Sequence, residues 1–135
     1  MFRNYWLEAL LIWCGVIIVA TIFPAYHLAF VSDLNIFPEA DLLVHFFLFL
    51  LYGILFTGTL TYRFKLKKVF LKLLFVLVSG TMFAAITELL QFLLPVNRSA
   101  SLDDLIADIA GVLIGSLLVI IISGRKKKDF SHKQQ

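Results

Sequence analysis

The chain has 135 residues, of which 61% are hydrophobic, and its mean hydropathy is +0.94. A soluble domain is nearer half apolar, so this composition indicates an integral membrane protein with one domain over residues 1–135. It contains 3 prolines and 7 glycines, too few for a collagen-like or largely disordered chain. The net charge of +3 comes from Lys and Arg clustered beside apolar runs, which suits membrane topology and anionic lipid. We therefore expect membrane lipids, and no nucleic acid, as partners.

Four long apolar segments account for most of the chain. Continuous apolar runs favour helices over the alternating strands of a barrel, because in lipid the backbone must satisfy its own hydrogen bonds. The expected fold class is an all-α membrane protein with four transmembrane helices. The expected helices cover residues 7–26, 41–62, 69–94 and 102–123, followed by a basic tail at 124–135.

The basic residues predict the orientation of these helices. Lys and Arg occur before the first segment, at 63–72 after the second, and at 125–133 after the fourth. An even number of spans separates these groups, so they share one side of the membrane. The positive-inside rule places that side, with both termini, in the cytoplasm. Arg98 is then the basic residue of the outer loops.

Three of the segments carry an ionisable residue at a similar expected depth. At about 1.5 Å per helical residue, His45, Glu88 and Asp108 lie roughly 6, 9 and 10 Å from the outer helix ends. Charged groups inside a membrane are costly and usually pair with one another or serve a function. The agreement in depth predicts a polar pocket that faces outward.

Helical spacing places further polar residues on the same faces. Asp41 and His45 are four residues apart in the second segment, and Glu88 and Gln91 are three apart in the third. Residues at these separations are neighbours on a helix surface. Each pair therefore presents two polar side chains to one side of its helix.

The fourth segment combines acidic residues with a stripe of small ones. Asp104 and Asp108 precede Gly111-x-x-x-Gly115, a spacing that allows a neighbouring helix to approach closely. A short loop joins this segment to the third, and short loops favour antiparallel pairing. We therefore expect Gly111 and Gly115 to be helix-packing residues that face the third helix.

The candidate pocket is built from side chains of three segments and one loop. Ser101 also fits a capping box with Asp104 at the start of the fourth helix, which is a purely structural role. Arg98 is expected over the mouth of the pocket, where a guanidinium suits phosphate or carboxylate. The candidate ligand-binding residues are Asp41, His45, Glu88, Gln91, Arg98, Ser101, Asp104 and Asp108.

Two familiar kinds of site are not expected. The sequence has no tight metal-ligand spacing such as His-x-x-x-His, so neither a metal nor another cofactor is predicted, although His45, Glu88 and Asp108 could together hold a divalent ion. Ser99 and Ser101 lack a Gly-x-Ser-x-Gly setting, which argues against a serine hydrolase.

Taken in order, these motifs resemble the VanZ-like family of bacterial membrane proteins. The resemblance covers residues 41–115, the last three helices. The chain departs from the family pattern at Leu42, Phe49 and Asp108, where a basic residue, an aromatic hydroxyl and an asparagine are usual, and Asn97 lengthens one turn. The residues that carry the resemblance are Asp41, His45, Gly53, Thr87-Glu88-Leu89-Leu90-Gln91, Pro95, Arg98, Ser101, Asp104, Asp108, Gly111 and Gly115.

The resemblance implies a cell-envelope role in the bacterial cytoplasmic membrane, and one founding member of the family is associated with low-level resistance to teicoplanin. The leading hypothesis is that the pocket binds a lipid head group or a lipid-linked envelope precursor. One alternative is a membrane-embedded enzyme acting on a lipid-linked substrate, with Glu88 as acid or base and His45 as its partner. Another is a structural or assembly factor in which the polar residues only hold the helices together. A transporter is not expected, because the polar residues lie near one face of the membrane.

Overall fold

The computed structural model describes residues 5–22, 40–94 and 101–132, with the side chains of 5–21, 42–94 and 101–125. All regular structure in these ranges is helical, and three of the helices are long and apolar enough to cross a membrane: Leu42–Arg63, Val69–Leu93 and Leu102–Arg125. The expected all-α fold with four membrane helices is confirmed, the first being the shorter apolar one. We name the helices α1 (Tyr5–Ile22), α2 (Ala40–Gly58), α3 (Val69–Leu93) and α4 (Leu102–His132).

One helix changes its geometry near its expected end, and another extends beyond its expected end. After Gly58, α2 continues through one wider π-helical turn, Thr59–Arg63, in which the Phe64 amide donates to the Thr59 carbonyl at 3.1 Å. The fourth helix continues to His132, through the basic segment expected to be a separate tail. Lys and Arg are good helix formers, and cations are favourable at a helix C-terminus, so the chain there can remain helical. The expected end of the first segment, residues 23–26, lies outside the described residues.

The outer surface of the helices is apolar. Ile12, Phe70, Phe92 and Leu102 are each more than two-thirds exposed, at 69%, 73%, 73% and 77%. Soluble proteins rarely expose large contiguous apolar patches, whereas lipid tails solvate such side chains without cost. This surface is that of a multi-pass membrane protein.

The core lies around α2. Phe49 and Tyr52 of this helix pack against Phe83 of α3, with ring centroids 5.9 and 5.6 Å apart respectively. The Tyr52 hydroxyl donates a hydrogen bond to Ser79 Oγ of α3 at 3.2 Å. On the other side, the Trp13 indole of α1 donates to the carbonyl of Leu48 at 2.9 Å. These bonds hold α1 and α3 to α2 through partners that lipid cannot supply.

Glycines bring α2 and α4 into backbone contact. A Cβ atom added at Gly115 would collide with the carbonyl oxygen of Leu50, and one at Gly53 would meet the carbonyl oxygen of Val112. The two helices run parallel, since residues later in α4 contact residues later in α2. Close approach through small residues is a common way for membrane helices to associate, because packing rather than water exclusion drives the contact.

The expected partner of the glycine stripe was therefore wrong: Gly111 and Gly115 face α2, not α3. The third helix meets α4 more loosely, through Gly80, where an added Cβ would lie 2.8 Å from a methyl group of Val112. Loop length predicted the wrong partner for the glycines because a short loop only keeps two helices near each other. It does not determine which helix makes the closest contact. The facing glycines of α2 and α4 decide which pair comes closest.

A matched pair of glycine substitutions tests this contact. Gly115→Ala should lower the free energy of unfolding in detergent by about 1–3 kcal/mol, because the new methyl group meets backbone atoms that cannot rotate away. Gly15→Ala on α1 is the control, since no atom of the described residues lies within 4 Å of its added Cβ. Both changes gain similar helix propensity. Equal thermal stability of the two variants would contradict the close α2–α4 contact.

Candidate functional site

The polar side chains meet where α2 and α4 begin and α3 ends. His45 lies in the second turn of α2, and Glu88 lies near the last turn of α3. Asp104 and Asp108 occupy the first two turns of α4. Because α3 runs opposite to the other two helices, these positions fall at the same end of the bundle. All four side chains are buried, with at most 9% of each residue exposed.

The contact between His45 and Asp108 joins α2 to α4. Nδ1 of His45 lies 3.1 Å from Oδ1 of Asp108, and the two residues are 4% and 0% exposed. Gly111 lies three residues after Asp108, at the point where α4 touches the α2 backbone. The glycine contact thus sets the helix separation at which an imidazole and an aspartate of neighbouring helices can share a proton.

Glu88 links α3 to both of the other helices. Its Oε2 atom accepts a hydrogen bond from the backbone amide of Ser101 at 3.0 Å, and its Oε1 atom lies 3.9 Å from Nδ1 of His45. Ser101 directly precedes α4, where backbone amides have no helical partner and the helix dipole favours a negative charge. The start of α4 therefore fixes one carboxylate oxygen of Glu88 and leaves the other facing the imidazole.

Ser101 caps α4, but not through the reciprocal box expected. Its hydroxyl accepts a hydrogen bond from the Asp103 amide at 3.1 Å, as N-cap serines do. In a capping box, Asp104 would accept the amide of Ser101. Glu88 accepts that amide instead. Asp104 is consequently not required to complete this cap.

Three of these residues have the arrangement of a metal-ligand set. One ligand atom each from His45, Glu88 and Asp104 lies within 4.8 Å of the others. Asp108 stands next to this group through its contact with the imidazole. Three carboxyl groups thus surround one imidazole within the described part of the chain, and a cation placed among them would reduce their mutual repulsion.

Three buried polar atoms at this end of the bundle have no hydrogen-bond partner within the described residues. They are Oε1 of Glu88, Oδ2 of Asp108 and Nε2 of Gln91, whose residue is 2% exposed. Leaving a buried donor or acceptor unpaired costs about 1–3 kcal/mol. The set includes both acceptors and a donor, so a ligand with hydroxyl, amine or hydrated-ion chemistry could satisfy it.

Two of the expected pocket residues cannot be placed. Arg98 and the side chain of Asp41 lie outside the described residues. The ligand-binding roles of Arg98 and Asp41 remain predictions. The ligand-binding roles of the residues that the structure brings together also remain predictions. Sequence reasoning overlooked the amide of Ser101 as a partner of Glu88, because a backbone group leaves no signal in the residue types. It also gave Gly80 no role, although an isolated glycine inside a helical run commonly marks a close contact.

One comparison with known proteins bears on identity. A family model described as VanZ/LLP1 matches residues 6–123, which is most of the chain and includes all four apolar segments. No curated protein and no solved structure matches the chain. The family match confirms the resemblance carried by residues 41–115 and extends it over α1. The chain is therefore a member of the VanZ/LLP1 family of membrane proteins.

Proposed function

We propose that this protein binds the polar head of a membrane amphiphile in the pocket between α2, α3 and α4. The amphiphile is a lipid or a lipid-linked precursor of the bacterial cell envelope. The observation that carries the proposal is the set of unpaired buried atoms of Glu88, Gln91 and Asp108. A head group with hydroxyl or amine groups can donate to the carboxylates and accept from the amide of Gln91.

The surroundings of the pocket suit an amphiphile rather than a soluble ligand. Leu89 and Phe92 on α3 and Ile106 on α4 are 54%, 73% and 64% exposed, at the same helix ends as the polar cluster. Such side chains stay exposed only where lipid covers them. A head group in the pocket could therefore keep its hydrocarbon tail in the bilayer.

The charge distribution supports an outward-facing pocket. Arg63, Lys65, Lys67 and Lys68 follow the far end of α2, opposite the cluster. Short loops rich in Lys and Arg stay in the cytoplasm. The pocket then opens toward the cell envelope, where glycopeptides such as teicoplanin act. A contribution to glycopeptide resistance, through a bound precursor, is the cellular role that we propose.

An enzyme is the second candidate, and the contact between His45 and Asp108 favours it. An imidazole held by a carboxylate, with a second carboxylate 3.9 Å away, has the parts needed for general acid–base catalysis. In this variant of the proposal, Glu88 transfers the proton and the bound lipid-linked molecule is the substrate. Glu88→Gln would then retain the lipid-linked molecule and lose its conversion.

The head-group proposal predicts that single isosteric substitutions release bound lipid. Native mass spectrometry of the detergent-solubilised protein should detect bound phosphatidylglycerol or polyprenyl phosphate. The bound fraction should fall at least about tenfold in Glu88→Gln and in Asp104→Asn, because each loss of a charged hydrogen-bond partner costs about 1.5–3 kcal/mol. Asp103→Asn is the matched control, since this carboxylate lies on the same turn and is exposed.

Two outcomes would contradict the proposal. Equal lipid retention in wild type, Glu88→Gln, Asp104→Asn and Asp103→Asn would exclude the cluster as the binding site. Loss of folded protein in Glu88→Gln and Asp104→Asn, with lipid retained by whatever fraction still folds, would assign the polar residues to a structural role.

The outward orientation has its own test. In a Cys14→Ser background, the Asp103→Cys variant should react with a membrane-impermeant maleimide on intact cells. The Lys67→Cys variant should react only after the cells are permeabilised, because both positions are exposed but lie at opposite helix ends. The reverse labelling pattern would place the pocket on the cytoplasmic side.

A further inference from the structure

We propose that His45, Glu88 and Asp104 bind one divalent transition-metal ion, with Zn²⁺ the preferred ion. Their ligand atoms come from α2, α3 and α4 and lie within 4.8 Å of one another. Zinc bonds of about 2.0–2.2 Å bring tetrahedral ligands to about 3.4 Å from each other. The ligand atoms therefore need to approach one another by at most about 1.4 Å to hold an ion.

The unpaired oxygen of Glu88 points independently to a ligand. Glu88 is 8% exposed, and its Oε1 atom has no hydrogen-bond partner in the described part of the chain. That atom lies 3.9 Å from Nδ1 of His45, inside the cluster, while the Ser101 amide holds the other oxygen. The protein thus fixes Oε2 of Glu88 by a hydrogen bond, and Oε1 of the same carboxylate is available to an ion. A carboxylate in this arrangement is oriented before the metal arrives.

Asp108 completes the surroundings of the proposed ion. It contacts Nδ1 of His45 at 3.1 Å, which leaves Nε2 of the imidazole to bind the ion, and metal-bound histidines usually direct their other ring nitrogen to a carboxylate or carbonyl. Such a partner orients the imidazole and raises its basicity. Asp108 is fully buried, and a cation bound beside it would favour the charged form of its carboxyl group.

The chemical types of the three ligands indicate which ions the site would prefer. One imidazole and two carboxylates suit Zn²⁺, Mn²⁺ or Fe²⁺, whereas Mg²⁺ and Ca²⁺ prefer oxygen ligands alone. Three protein ligands also leave a coordination position open on a tetrahedral ion. Spacing along the chain could not predict this set, because each ligand comes from a different helix. The metal and the head group would both use the unpaired oxygen of Glu88, but metal binding is tested with the metal alone.

The test is stoichiometric loading of the purified protein. The full chain in detergent is stripped with a chelator, loaded with ZnCl₂, desalted and analysed for metal content, and the affinities are measured by isothermal titration. Wild type should bind one Zn²⁺ per chain. Its affinity for Mg²⁺ should be at least about tenfold lower. Glu88→Gln and Asp104→Asn should each lose at least about 90% of the bound zinc.

Matched variants separate the site from adventitious binding. His132→Gln and Asp103→Asn remove a histidine and a carboxylate elsewhere and should load like wild type. Asp108→Asn should still bind one ion but about 10- to 100-fold more weakly, as loss of a histidine's carboxylate partner commonly does. X-ray absorption of the loaded protein should show one imidazole nitrogen among oxygen ligands.

The proposal is overturned if folded wild type binds no stoichiometric zinc, or if Asp104→Asn binds it as wild type does. Asp104→Asn decides the matter if Glu88→Gln fails to fold, because Asn keeps the size of the side chain and the Ser101 hydroxyl still accepts the Asp103 amide at the start of α4. Lipid retained by the stripped protein would leave the head-group proposal intact whichever way the zinc result falls.

Discussion

The backbone contact between α2 and α4 is the constraint on which the candidate site depends. Gly53, Gly111 and Gly115 allow the two parallel helices to touch without side chains between them. This close approach brings His45 within 3.1 Å of Asp108. A larger separation would break this contact and remove the partner that α4 supplies to His45. The polar contact at the site therefore depends directly on the close packing of α2 against α4.

Burying the polar cluster between the helices costs free energy, which the packing of the helices has to offset. Membrane helices gain little from excluding lipid, so their association relies on close packing and on hydrogen bonds between helices. Here those bonds include the contact of His45 with Asp108 and the bond from the Ser101 amide to Glu88. Yet oxygens of Glu88 and Asp108 remain buried without a partner among the described residues. A cluster that served only to join helices would not need two buried carboxyl groups with incomplete hydrogen bonding, so a bound ligand accounts for it better.

Much of the fold could be predicted from the sequence because lipid limits the choices. Continuous apolar runs of this length can only be helices, and the third begins at Val69 and the fourth at Leu102, as hydropathy predicted. Depth counting also singled out His45, Glu88 and Asp108, since residues at equal depth on adjacent helices can meet. The partner of the glycine stripe was wrong because the argument used loop length, whereas contact shape decides which helices come closest. The grouping of Asp104 with His45 and Glu88 depends on helix rotation, which a single sequence does not specify.

The central claim is that the junction of α2, α3 and α4 holds a ligand rather than a purely structural cluster. The most direct measurement is a crystal structure of the protein grown from a lipid mesophase, with anomalous scattering recorded at the zinc absorption edge. We expect non-protein density in contact with Oε1 of Glu88, with an anomalous peak between Glu88, His45 and Asp104. A structure in which protein atoms alone satisfy the Glu88 and Asp108 carboxylates would contradict it.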